Sequence, residues 1–377
     1  MLVASMILSW VLVLSVWIRG PHVPANPHFY YGFLLFLSVA LAIAQTYLQN
    51  ATMAFCTRLD INGSIIGYML LGQALNGVIG SVLNLLSSMA AATHMDANKA
   101  ASTQAVQNQQ AAYTVFIATA LLQLATWYAF EHMLHVSHVK QAVESWTMSD
   151  AFAAHAQMSI WDTVWRVQRR LVPWSVSIFG LFATTLCVYP GITSRVRTVT
   201  ETRWLNNEGI FVALHIVCFN VGDLLGRRMP IMYPITNVRR AYVAQICTTA
   251  RFLFLPFFLW CRLDIYKTSP IPDTIFFLGV VALGLTTGWL STSFLISGPQ
   301  SVAKHDESTS TQNNGLDTEA RQDQVLLHDE TMHEASAAEH AGTQDAAMAS
   351  MLCSFWLVAG LTLSLIHISE PTRPERI

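Results

Sequence analysis

The stretch Gly209–Pro230 reads GIFVALHIVCFNVGDLLGRRMP, and its reading decides the fold. Between Gly209 and Leu225 the only charged residue is Asp223, in a run close to the about 20 apolar residues that cross roughly 30 Å of hydrocarbon. Arg227 and Arg228 then close the run, as basic residues do at a membrane surface. Eight further segments have this character: Leu2–Ile18, Phe29–Phe55, Ile61–Met89, Tyr113–Met133, Val172–Pro190, Tyr242–Cys261, Ile275–Ser297 and Met348 to about Leu365. A membrane barrel would alternate over about ten residues instead of running unbroken. The expected fold is therefore an all-α, polytopic transmembrane helical bundle with about nine spans.

Composition agrees. Of 377 residues, 53% are apolar and 12% are charged, against about 25% charged in a soluble domain. A net charge of −2 lacks the clustered Lys and Arg that neutralise phosphates, so nucleic acid is not an expected partner, whereas membrane lipid is. Cys56, Cys187, Cys218, Cys247, Cys261 and Cys353 are scattered singly and read as small buried hydrophobes, not as disulfides or zinc ligands. No basic residue precedes Leu2, and Arg19 follows the first run, so that run reads as a span and not as a cleavable leader.

Three connections are long. Asp96–Ala112, rich in Ala, Gln and Asn, reads as a solvated loop with a modest helical tendency. Residues 136–171 read as a cytoplasmic loop in which Ala151–Val172 forms an amphipathic interfacial helix. Residues 300–347 carry ten acidic side chains against Lys304 and Arg321, a composition that buries no core, and read as an acidic, disordered cytoplasmic loop. The expected organisation is a four-span bundle over 1–135, the loop 136–171, a four-span bundle over 172–299, the loop 300–347 and a last helix over 348–362. Arg58, the Lys140/Arg170 group and the Arg227, Arg228, Arg239 and Arg240 cluster fall on one side, which the positive-inside rule assigns to the cytoplasm.

Charges inside a bilayer cost at least about 2.5 to 3.5 kcal/mol, so each is a functional candidate. Asp223 lies within the sixth run and Arg227 follows at i+4 on the same helix face, with His215 and Asn220 on neighbouring faces. A structural ion pair or a donor–acceptor pair for a polar solute fits this pattern equally. Gln45 and Gln49 also share a face at i and i+4, offering amides either to a ligand or to another helix. In the third run, Gly63, Gly67, Gly72, Gly77 and Gly80 read as helix-packing positions, with Gln73 and Asn76 toward a cavity. Arg251 near the start of ARFLFLPFFLWC needs a partner at depth or snorkels to the interface. Gly288, Trp289 and Ser291 interrupt the eighth run. The histidines His305, His328, His333 and His340 have no metal-ligand spacing, and no P-loop is present, so no metal, cofactor or catalytic constellation is expected.

Taken together, these residues resemble the equilibrative nucleoside transporter family. Phe219-Asn220, Asp223 and Gly226-Arg227 resemble its FN..D..GR signature, and Val188-Tyr189-Pro190-Gly191-Ile192 resembles its FPAI-like helix end. Ala250-Arg251 through Pro256 and Cys261 resembles the ninth helix, and Gly288-Trp289-Leu290 with Ser291 resembles GYL.S with Trp in place of Tyr. Gly72-Gln73-Ala74 through Gly77 departs from GQG..G by one Ala. The resemblance implies a major-facilitator-like arrangement of six plus five helices, of which this chain begins near the third. On that pattern it lacks two helices, including one that carries a Trp lining the nucleoside site. Leu363–Arg373, LSLIHISEPTR, resembles translated sequencing-adapter sequence, so 363–377 are set apart from the fold.

The implied function is facilitative transport of nucleosides or nucleobases by alternating access, with proton coupling open, at the plasma membrane; it is not an enzyme. The implied substrate-binding residues are Gln49, Asp223, Arg227 and Trp289, with Gln45, Gln73, Asn220, Arg251 and Ser291 supporting or gating them. The alternatives are a major-facilitator-type carrier of another small polar solute and a nontransporting membrane scaffold.

Overall fold

The computed structural model describes residues 2–19, 27–60, 62–93, 101–137, 139–144, 160–199, 207–232, 238–261, 271–320 and 342–361. Every regular element among them is helical. The front of the chain forms α1 (Leu2–Arg19), α2 (Pro27–Leu59), α3 (Ser64–Thr93) and α4 (Ala101–Leu134). The back forms α5 (Ile160–Val188), α6 (Glu208–Met232), α7 (Val238–Ala250), α8 (Phe254–Leu259), α9 (Asp273–Ala320) and α10 (Gly342–Leu361). Seven described stretches are long and apolar enough to cross a bilayer, namely His28–Leu59, Ser64–Ala90, Trp161–Arg195, Gly209–Met232, Tyr242–Leu259, Asp273–Ala303 and Gly342–Leu361. The first expected span lies in α1, where Val3–Ser15 is a shorter apolar helix, and the fourth lies within α4.

Several loop boundaries differ from the sequence expectation. Residues 101–112 open α4 instead of forming a loop, and 94–100 lie outside the described residues. The expected cytoplasmic loop 136–171 ends at Ile160, where α5 begins and runs unbroken through Pro173 to Val188. Of the expected interfacial helix Ala151–Val172, residues 151–159 lie outside the described residues; in the remainder Val167 and Leu171 are fully buried, whereas Trp161 and Trp165 are exposed. Likewise α9 continues past residue 300 to Ala320, and α10 starts at Gly342, so of the expected disordered loop only 321–341 lie outside the described residues. Residues 362–377, which include the adapter-like tail, also lie outside them. Among the cysteines, Cys56, Cys261 and Cys353 are buried as expected, whereas Cys187 is exposed.

Helix α6 is the axis of the described molecule, packed along α9 on one side and α3 on the other. Its contact with α9 is backbone on backbone. A Cβ at Gly222 would overlap the Val281 carbonyl oxygen, and one at Gly226 would overlap that of Leu285. The relation is reciprocal, because a Cβ at Gly284 would overlap the Phe219 oxygen, and one at Gly288 the Asp223 oxygen. Two Gly-xxx-Gly pairs, Gly222/Gly226 and Gly284/Gly288, thus face each other and bring the two backbones together. Such proximity favours dispersion contacts and Cα–H···O=C contacts, which drive helix association where lipid removes the hydrophobic advantage.

The α3 contact is looser and runs along one stripe. Gly67, Leu70, Ala74 and Gly77 recur at helical spacing on one face of α3, with Leu70 and Ala74 buried. A Cβ at Gly67 would come within 2.8 Å of Ile231 Cγ1, and one at Gly77 within 2.9 Å of Asn220 Oδ1. The expected packing role of the third-span glycines therefore holds at Gly63, Gly67 and Gly77, while Gly72 and Gly80 face open space.

Polar ties fix the helix ends. Asp60 Oδ2 accepts the backbone N–H of Ser64 at 2.9 Å, placing a negative charge at the N-terminus of α3. Asp273, at the start of α9, accepts the Thr198 hydroxyl at 2.7 Å and the Val199 N–H at 2.9 Å. Arg166 on α5 bridges to both carboxylate oxygens of Asp345 on α10, at 3.2 and 3.1 Å. Beyond it, Trp356 Nε1 donates to Gln168 Oε1 at 3.1 Å.

Two outcomes are expected. Gly226→Val or Gly288→Val places a side chain against backbone that has no room to shift, so the protein should fail to accumulate as monodisperse material on fluorescence-detected gel filtration, whereas Gly72→Val should not. Asp345→Arg should lower the apparent melting temperature in detergent, and the double exchange Arg166→Asp with Asp345→Arg should recover at least half of the loss.

Candidate functional site

Asn220, Asp223, Arg227 and Ile231 recur on α6 at intervals of three or four residues and so share one face. The first and last of these meet Gly77 and Gly67 of α3. Those contacts are ten residues apart on α3 (77 − 67) and eleven apart on α6 (231 − 220), as antiparallel helices require. Asp223 and Arg227 lie between them along α6, on its seam with α3. The seam is where the front helices meet the back ones.

The pair itself is formed. Arg227 Nε donates to Asp223 Oδ2 at 2.8 Å, and both side chains are largely buried. The other carboxylate oxygen, Oδ1, is buried without a partner. A buried acceptor left unpaired costs about 1–3 kcal/mol, so this oxygen is poised to take a donor. Asn220 donates its amide N–H to the Ile216 carbonyl at 3.0 Å and leaves Oδ1 toward Gly77.

Arg251 does not snorkel. It is 3% exposed and occupies a 3₁₀ turn, Arg251–Leu253, that breaks the run between α7 and α8. Its guanidinium is held by neutral oxygens. Nη2 donates to the Thr185 and Thr287 hydroxyls at 2.8 Å each, and Nη1 donates to the Leu283 carbonyl at 3.3 Å and to the Thr286 hydroxyl. The Phe254 ring lies 5.9 Å from its carbon centre. Three hydroxyls and a carbonyl thus stand in for water around a buried cation, and Asp223 lies within Coulombic reach of it. Arg251 Nε remains buried and unpaired.

Aromatic rings close the far side of α6. Tyr189, preceding a cis proline at position 190, stacks on Phe219 with centroids 3.9 Å apart and an interplanar angle of 11°. The same ring meets His215 edge-on at 5.6 Å, and His215 is fully buried, with Nε2 3.4 Å from the Thr193 hydroxyl. Sequence reading named His215 only as a neighbour and missed both the stack and the threonine cradle. Thr286-Thr287, lying between Gly284 and Gly288 inside an apolar run, was the available signal.

The remaining expected site residues are not brought to the ion pair. Gln45 and Gln73 are exposed on α2 and α3, and Gln49 is half-buried with no hydrogen bond within the described residues. Trp289 is half-buried against the apolar core around Leu290 and Phe294, while its backbone nitrogen faces Gly226. Ser291 is fully buried, and its hydroxyl donates to the Gly288 carbonyl at 3.3 Å. Among the described residues, no cluster of three or more His, Cys, Asp or Glu side chains is arranged to hold a metal ion.

Comparison with known proteins places this arrangement. An Arabidopsis thaliana protein named equilibrative nucleotide transporter 1 is 31% identical over 152 residues, covering 40% of this chain and 30% of that protein. Equilibrative nucleotide transporter 8 from the same plant is 25% identical over 257 residues, covering 64% of this chain and 58% of the relative. Equilibrative nucleoside transporter 2 of Mus musculus is 26% identical over 155 residues, covering 38% of this chain and 32% of the relative. The chain thus spans less than two thirds of the length of each of these relatives. Residues 35–313 match the family described as nucleoside transporter, a range that takes in α3, α5, α6 and most of α9. This chain, an integral multi-pass membrane protein, belongs to the nucleoside transporter family.

Proposed function

We propose that the protein carries nucleosides or nucleobases across a membrane by facilitative transport, through alternating access between the front helices α1–α4 and the back helices α5–α10. The observation that carries this reading is the Asp223–Arg227 pair, set on the seam between the two groups with one carboxylate oxygen unpaired. A transporter of this architecture binds its solute near the midplane, between the parts that move. A nucleoside is neutral and polar, and it offers hydroxyl and ring N–H donors to Asp223 Oδ1 and acceptors to Arg227. The names of the relatives, which specify nucleosides and nucleotides, support the same substrate class.

In this proposal Asp223 and Arg227 contact the solute directly, and Asn220 lines the seam beside them. Arg251 acts at a distance, by fixing α5, the α7–α8 break and α9 around the glycine contact that seats Asp223. The family resemblance adds Gln49 and Trp289 as solute contacts and Gln45, Gln73 and Ser291 as supporting or gating residues, roles that require a rearrangement from the structure described, in which none of the five reaches the ion pair. The plasma membrane is the proposed location. Proton coupling rests on Asp223 alone, as a carboxylate within a membrane span.

Replacing Asp223 with Ala should abolish saturable adenosine or inosine uptake in cells lacking their own nucleoside uptake, with surface expression unchanged; normal uptake would remove Asp223 from the site. Unlabelled nucleosides should compete with the labelled permeant, whereas a scaffold shows no competition and a carrier of another solute follows that solute instead. Uptake with neither pH dependence nor an associated current would leave the transport reading standing without protons.

A further inference from the structure

Helix α5 is longer than the membrane it crosses. Its 29 residues extend about 43 Å, against roughly 30 Å of hydrocarbon. Leu171–Val188 holds no charged residue and by itself covers about 27 Å, so the span is filled without the first three turns. Those turns, Ile160–Arg170, carry Asp162, Arg166, Arg169 and Arg170 and therefore stand at the membrane surface. One face of them is fixed to the back helices. Val167 is fully buried, and Arg166 is bridged to Asp345 of α10. Gln168 accepts from Trp356 and donates to the Ser175 hydroxyl at 3.2 Å.

The other face is exposed along its whole length. Trp161, Trp165, Arg169, Val172 and Val176 recur at intervals of three or four residues, and the two indoles are 79% and 61% exposed. Val172 and Val176 belong to the span, where the medium that covers an exposed apolar side chain is lipid. The stripe therefore runs without a break from the acyl chains at Val176 to the headgroup level at Trp165, where Trp is enriched.

Arg169 gives this stripe a specific chemistry. Its guanidinium carbon lies 5.4 Å from the centre of the Trp165 ring, and among the described residues it meets no carboxylate. A guanidinium seated on a ring face keeps its N–H edge available for two parallel bonds to a phosphate. Pro173 has no N–H to offer the Arg169 carbonyl four residues earlier, so an acceptor without its helix donor lies beside the same guanidinium. A cationic donor and a bare carbonyl side by side fit a phosphodiester whose headgroup carries hydroxyls. The exposed carboxylate of Asp162 is seven residues away, about 10 Å along the axis, and leaves the phosphate position to Arg169.

We propose that this face of α5 binds one anionic phospholipid, with its phosphate on Arg169, its glycerol level against Trp165 and an acyl chain along Val172 and Val176. Trp161 covers the water-facing edge of the headgroup. The lipid is thereby tied to the helix that carries both the Arg166–Asp345 bridge and the Thr185 hydroxyl of the Arg251 cradle, so headgroup charge in this leaflet stabilises the back helices. The site does not depend on what the chain carries, and its test involves no uptake.

The whole chain, purified in a mild nonionic detergent, is heated with and without added phosphatidylglycerol, and the apparent melting temperature is read from the monodisperse peak on gel filtration. Phosphatidylglycerol should raise it by several degrees, and phosphatidylcholine by less than half as much. Arg169→Gln breaks no ion pair among the described residues and should remove at least half of the phosphatidylglycerol shift, as should Trp165→Leu. Arg228→Gln, at an exposed arginine of α6 outside the stripe, should keep the parental shift. A parental shift in either α5 variant overturns the site, and so does an equal loss in Arg228→Gln, which reports bulk charge attraction. Equal shifts with the two lipids overturn the preference for an anionic headgroup. Inorganic phosphate at the same concentration should change nothing; a shift matching that of phosphatidylglycerol overturns the lipid as the occupant.

Discussion

The contact between α6 and α9 is the constraint on which the rest of this structure depends. Four glycines, Gly222, Gly226, Gly284 and Gly288, allow two backbones to touch where any Cβ would meet a carbonyl oxygen. Within a bilayer, apolar side chains gain nothing by leaving lipid for protein, so association falls to close packing and polar contacts. Close packing needs surfaces without protrusions, and glycine provides them. Once joined, α6 and α9 form a stiff unit that presents Asp223 and Arg227 on one side and the threonine cradle of Arg251 beside them.

Placing charge in that unit carries a desolvation cost, and the structure offsets it in two different ways. Arg251 is surrounded by Thr185, Thr286, Thr287 and the Leu283 carbonyl, which engage Nη1 and Nη2 without a carboxylate in direct contact and leave Nε unpaired. Arg227 and Asp223 satisfy each other through a single bond and leave one carboxylate oxygen bare. The first arrangement holds three elements together. The second leaves its open carboxylate oxygen on the seam between front and back helices, as a site that must bind and release a solute requires.

Much of this was legible in the sequence. Apolar run lengths gave the helical membrane class, and the i, i+4 spacing of Asp223 and Arg227 predicted a pair that the structure forms. The loop boundaries were less legible, because composition reports polarity and not hydrogen bonding. Residues 101–112, 160–171 and 300–320 are polar or amphipathic, and each nevertheless continues a helix whose apolar part is anchored elsewhere. Cooperative helix propagation adds a bond for each residue fixed and so extends spans beyond their apolar limits. Gln45 and Gln73, chosen because amides are rare in apolar runs, lie on exposed faces. Their spacing fixed which residues share a face, but not what that face meets.

By itself, the sequence determined the helical class, the family resemblance, the polar residues at membrane depth and the small residues that permit close approach. Those properties are local, set by side-chain chemistry and a 3.6-residue period. Only the tertiary structure decided which glycines meet backbone and which face of α6 lies on the seam. It also decided that Arg251 is cradled by hydroxyls from two other helices. A helix carries the same periodic pattern whichever neighbour it meets, so the choice of partner and register belongs to the packing of the whole bundle.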